Sequence, residues 1–132
     1  MIRFILSTFF CLAGAFCFGQ TQGEINDKAA KNYEMADKEL NSVYQTILKQ
    51  YSDDTAFIKN FKNAQRLWIQ FRDAEMKAKY PEREESYYGS AQPICWYTYM
   101  TELTGERTKK LKIWLTGIEE GDMCAGSVKT RN

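Results

Sequence analysis

Apolar residues recur at alternating steps of three and four through most of this 132-residue chain, a period that fits helices and not strands. Between residues 27 and 51 the positions are Tyr33, Ala36, Leu40, Val43, Tyr44, Ile47, Leu48 and Tyr51, which share one helical face. Ser52, Asp53 and Asp54 interrupt the stripe and offer caps for a second helix. Its stripe is Phe57, Phe61, Ala64, Trp68 and Phe71, continuing towards Tyr80. Pro81 stops it, because the residue before a proline avoids the α region. A third stripe holds Ile94, Tyr97, Met100, Thr104, Thr108, Leu111, Leu115 and Ile118, widened by Leu103 and Trp114. Ser90 is its expected cap, Pro93 lies in its first turn, and Gly117 or Gly121 ends it. The pattern predicts an all-α fold, a small antiparallel three-helix bundle in one domain.

The N-terminus has a different character. Arg3 precedes an apolar run over residues 4–18, and Cys17 and Gly19 provide small residues for a cleavage site that leaves Gln20 first. This layout predicts a secretory signal peptide over residues 1–19 and a mature domain over residues 20–132, exported to the periplasm or outside the cell. A lipoprotein needs a small residue before the acylated cysteine, and Phe10 and Phe16 precede Cys11 and Cys17. After cleavage the 18 basic and 17 acidic residues become 17 of each, since only Arg3 is lost. A neutral chain has no electrostatic footprint for nucleic acid, and no stable membrane insertion is expected once the signal is gone. Cys95 and Cys124 are then the two remaining cysteines, and in an oxidising compartment they are expected to form a disulfide tethering the C-terminal tail.

Residues suited to chemistry are few. The chain has no histidine, which removes the commonest general base and metal ligand. Asp37, Asp73 and Glu75 lie on or beside apolar stripes, where a carboxylate near Arg66, Arg72 or Arg107 is expected to form an internal ion pair rather than to catalyse. No ligand spacing supports a metal site, no cofactor is implied, and the chain is not expected to be an enzyme. The dense cluster from Gln65 and Arg66 through Trp68 to Arg72, Asp73 and Glu75 is expected to latch helices together. The long connection over residues 82–90 is the expected partner site, with Glu84 and Glu85 for steering and Tyr87 and Tyr88 for contact.

Three motifs carry a resemblance: Asp37 with Leu40, Asn41 and Tyr44; Gln65, Arg66, Trp68, Phe71, Arg72, Asp73 and Glu75; and Thr104, Arg107 and Leu111. In this order they resemble the N-terminal domain of LprI-type lysozyme inhibitors, formerly a domain of unknown function. The resemblance implies a secreted, helical, non-enzymatic protein that binds lysozyme or a related muramidase. The alternative is an accessory or structural envelope module with no lysozyme contact. Two departures stand out. Met76 follows the second motif where many members have cysteine, and Lys28 or a neighbour precedes the first where many have another. Both absences fit the joint loss of a disulfide pair.

Overall fold

The computed structural model describes residues 21–131, so the expected signal peptide lies outside the described residues. Three long helices form the body: α1 over Gln22–Gln50, α2 over Thr55–Lys79 and α3 over Gln92–Leu111. A single turn, α4 over Ile113–Thr116, follows a break at Lys112. Among the described residues there is no strand beyond an isolated bridge between Ile118 and Thr130.

Local chemistry places the ends. Thr21 and Glu24 close a capping box at the start of α1, each side chain meeting the other's backbone N–H. The expected cap of α2 is Asp54, whose carboxylate accepts the Phe57 N–H at 2.8 Å. Tyr80 ends α2 immediately before Pro81. At α3 the residue ahead of the helix is Ala91, which makes no side-chain cap, so the expectation for Ser90 is not met. Pro93 in the first turn compensates in part, having no N–H to leave unpaired.

The helices run up, down and up. Tyr44 stacks on Phe61 and Tyr51 lies against Phe57, which sets α1 antiparallel to α2. Tyr33 meets Trp96 and Tyr97 near the start of α3, and Tyr51 at the end of α1 bonds Trp114 just past the end of α3, which sets α1 parallel to α3. The backbones of α1 and α3 approach closely, whereas α2 is held off by large side chains. Leu40, Val43, Ile47, Tyr51, Phe61 and Leu111 form the buried core, with Phe57, Trp68 and Trp114 packed against it.

Two expectations are corrected here. Periodicity places Ala64 and Phe71 on the inward stripe of α2, yet both are exposed, Phe71 at 62%. The buried residues of α2 are Phe61, Gln65 and Met76, so the helix is rotated and turns a partly polar face inward. The second correction concerns the cysteines: Cys95 and Cys124 are free, exposed and not joined. Cys95 lies in the first turn of α3, whereas the tail is anchored at the opposite end of that helix. From Cys95 to Leu111 the helix climbs about 24 Å, against the roughly 7 Å between Cα atoms that a disulfide tolerates.

The tail is secured by hydrogen bonds instead. The Tyr51 hydroxyl donates to the Trp114 carbonyl and accepts the Lys129 N–H, both at 3.1 Å. The Trp114 indole donates to Ser127 Oγ, and Lys129 Nζ donates to the Gln50 carbonyl at the end of α1. Gly117 permits this closure: its φ is +71°, and a Cβ there would lie 2.8 Å from the Lys129 carbonyl oxygen.

Candidate functional site

Two regions gather the residues singled out by sequence. The first is the latch where α2 crosses α1 and α3. Trp68 is half-buried, with the Arg72 guanidinium 5.3 Å and the Arg107 guanidinium 5.7 Å from its ring centroid. Two cations on one indole are tolerable because each has an oxygen partner. Arg72 donates through Nε and Nη2 to Asp73 Oδ1 at 3.0 and 2.9 Å, and its Nη1 lies 3.9 Å from Asp37. Arg107 donates through Nε to Gln65 Oε1 at 3.0 Å. That bond accounts for the burial of Gln65. Burial also lowers the Arg107 pKa, although guanidinium remains cationic at any physiological pH.

Other members of the cluster serve locally. Asn41 donates to Asp37 at 2.9 Å, one turn back along α1. Glu75 accepts the Tyr99 hydroxyl at 2.6 Å, and Lys79 covers the Tyr99 ring at 3.3 Å. The bond to Glu75 is the main cause raising the Tyr99 pKa, followed by desolvation. Thr104 is fully buried and its Oγ1 has no partner among the described residues, while its carbonyl accepts from Thr108 Oγ1. Arg66 departs from the expectation: it is exposed and bonds Asn63 on its own helix, outside the latch. Tyr51 and Tyr99 are residues whose roles sequence reasoning missed. A tyrosine at a stripe or its border carries a hydroxyl needing a partner, and that was the available signal.

The second region is the connection between α2 and α3. It is a series of tight turns, with N–H to carbonyl bonds from Tyr87 to Glu84, Gly89 to Ser86 and Gln92 to Gly89. Ser86 has φ of +66°, a conformation that L side chains resist. Tyr88 secures the turns from inside, donating to the Pro81 carbonyl at 2.7 Å and packing edge-on against Tyr80. Tyr87 packs on Tyr88 and remains 68% exposed, with Arg83 at 5.8 Å from its ring. Glu84 and Glu85 are exposed beside it.

Among the described residues no cluster of His, Cys, Asp or Glu has the arrangement of a metal site. No described helix is long and apolar enough to cross a membrane.

The model of the family described as lysozyme inhibitor LprI matches residues 18–111, which span all three long helices. The chain belongs to the LprI family. The three motifs that resembled it fall on α1, α2 and α3; Asp37, Gln65, Trp68, Arg72, Asp73 and Arg107 meet in the latch, whereas Arg66 and Phe71 are exposed outside it. An uncharacterized protein of Rhizobium meliloti (strain 1021) is 32% identical over 103 residues, covering 70% of this chain and 72% of the relative. A crystal structure of a DUF1311 family protein from Pseudomonas putida KT2440 superposes with a TM-score of 0.58 at 26% identity, covering 70% of this chain and 91% of that one. In the structure Trp68, Arg72 and Arg107 pack and bond across the helix contacts of the latch.

Proposed function

We propose that this chain is an exported binding protein that blocks lysozyme or a related muramidase by protein–protein contact, using the turns over residues 82–90. Family membership supports an inhibitor-like role. The observation that carries the choice of surface is the rigid presentation of Tyr87. Its backbone is pinned by successive turns and by Tyr88, so little conformational entropy is lost on binding. An exposed tyrosine is a low-entropy contact, and Glu84 and Glu85 complement the basic surface typical of lysozymes. Tyr88 positions the loop and does not itself meet the partner.

The test is lysis of a cell suspension by lysozyme, followed by turbidity, with and without excess purified protein. Inhibition is expected, and it should weaken as salt rises. The triple variant Glu84→Ala, Glu85→Ala, Tyr87→Ala should lose at least tenfold in affinity, about 1.4 kcal/mol, with its melting unchanged. Undiminished lysis at saturating wild-type protein would overturn the lysozyme assignment. Full inhibition by the triple variant would overturn the surface.

A further inference from the structure

The chain is almost neutral, with 18 basic and 17 acidic residues, but the fold does not spread its charges evenly. On α2, Lys59, Lys62, Arg66 and Lys77 are all exposed, and among the described residues none of them makes an ion pair. Lys59, Lys62 and Arg66 follow one another at steps of three and four, a spacing at which like charges repel along a helix. Of the acids on or beside α2, Asp54 caps its start, Asp73 is engaged by Arg72 and Glu75 bonds Tyr99, while Asp53 lies ahead of the helix. A second stripe lies about a third of a turn round from the cations. It consists of Ala64, Leu67, Phe71, Ala74 and Ala78, every one exposed, Leu67 at 51%. Asn63 and Gln70 run between the two stripes, opposite the buried Phe61, Gln65 and Met76, so the pair of stripes flanks the outermost ridge of α2.

We infer that this ridge of α2 docks on an anionic phospholipid surface, with Leu67 and Phe71 dipping among the headgroups and the four cations resting on lipid phosphates. An apolar stripe bordered by Lys and Arg is the pattern of a helix lying in the plane of a membrane interface, and each cation held near an anionic leaflet adds to the attraction. Long basic side chains reach round from the flank of such a stripe to the headgroups. The contact is peripheral, since no described helix is long and apolar enough to cross a membrane. Charge decides against a second copy of the chain, which would set lysines against lysines. A folded acidic protein fits less well than lipid. Pinning flexible lysines to fixed partners costs side-chain entropy, whereas a fluid array of phosphates meets them wherever they stand. Glu102 and Glu106 of α3 do not neutralise the cations: with Glu75 they surround Tyr99, on the far flank of the apolar stripe.

The test contains no lysozyme and leaves Glu84, Glu85 and Tyr87 intact, so its failure leaves the inhibitor proposal standing. The purified protein is sedimented with vesicles of phosphatidylglycerol and phosphatidylcholine in equal parts, and with vesicles of phosphatidylcholine alone. Binding to the anionic vesicles only is expected, and it should fall as salt rises. The quadruple variant Lys59→Gln, Lys62→Gln, Arg66→Gln, Lys77→Gln should bind at least tenfold more weakly, with its melting preserved because these side chains are exposed and make no ion pair. Leu67→Ser with Phe71→Ser should also weaken binding at least tenfold. The control Lys28→Gln, Lys31→Gln, Lys49→Gln, Lys109→Gln removes the same charge from exposed positions off the ridge and should lose much less. Soluble polyglutamate serves as the acidic polypeptide probe. No salt-sensitive binding to the anionic vesicles would overturn the proposal, as would full binding by either ridge variant. Equal losses in the two quadruple variants would reduce the effect to net charge, and binding of polyglutamate without binding of vesicles would assign the ridge to an acidic protein; each result sinks the membrane reading.

Discussion

Removing the hydroxyl of Tyr51 isolates what holds the C-terminal tail to the bundle. Tyr51 is 3% exposed, and its ring packs on Phe57 at 4.6 Å, so Tyr51→Phe keeps the shape and deletes one atom. That atom makes two hydrogen bonds, donating to the Trp114 carbonyl and accepting the Lys129 N–H. At about 0.5–1.5 kcal/mol net each, the two are worth roughly 1–3 kcal/mol. The upper end applies if both backbone groups stay dry, and the lower if water replaces the hydroxyl. The Lys129 ammonium, 4.5 Å from the same ring, keeps its cation–π contact and limits the loss. A domain of this size should melt about 4 °C or more lower for each kcal/mol lost. The second readout is local: amide exchange at Lys129 and Arg131 should accelerate, while exchange in the middle of α1 follows only the global change. Unaltered melting together with unaltered protection of the tail would refute the anchoring argument.

Trp68→Ala should destabilise by about 2–4 kcal/mol, below the 3–5 of a fully buried aromatic because Trp68 is half-exposed, whereas Phe71→Ala should stay within about 0.5 kcal/mol. Denaturant melts check both, and equal losses would restore Phe71 to the core. Tyr33, Tyr44, Tyr80 and Tyr99 have pKa values raised in the folded state, the first three by burial and Tyr99 chiefly by its bond to Glu75. Their contribution is therefore complete below the unfolded tyrosine value near 10 and is lost as pH rises through the folded values. Melting temperature should fall above about pH 10, less steeply in Tyr99→Phe, and an alkaline limb identical in that variant contradicts the linkage. Cys95 and Cys124 should both react with an alkylating agent in the native protein, as free exposed thiols do, and a Cys95–Cys124 cross-linked peptide would contradict their separation.

The helical segments were legible because their causes are local. Asp54 caps α2 and Pro81 follows its last residue, both dictated within a few positions of the chain. The turns over residues 82–90 were equally readable as a polar gap between two periodic stretches. Which face of α2 turns inward was not. Its large apolar residues surround the helix, Phe61 and Met76 inside and Leu67, Ile69 and Phe71 outside, so periodicity alone admits more than one rotation. The choice falls to partners distant in sequence. Gln65 meets Arg107 42 residues away, and Arg72 faces Asp37 across the α1–α2 contact. These pairings draw a polar flank into the bundle because a buried guanidinium or amide without a partner costs more than leaving Phe71 in water. The cysteines failed for the same reason. Counting thiols says how many could pair, but only the length of α3 and the anchoring of the tail at Tyr51 decide that Cys95 and Cys124 lie at opposite ends.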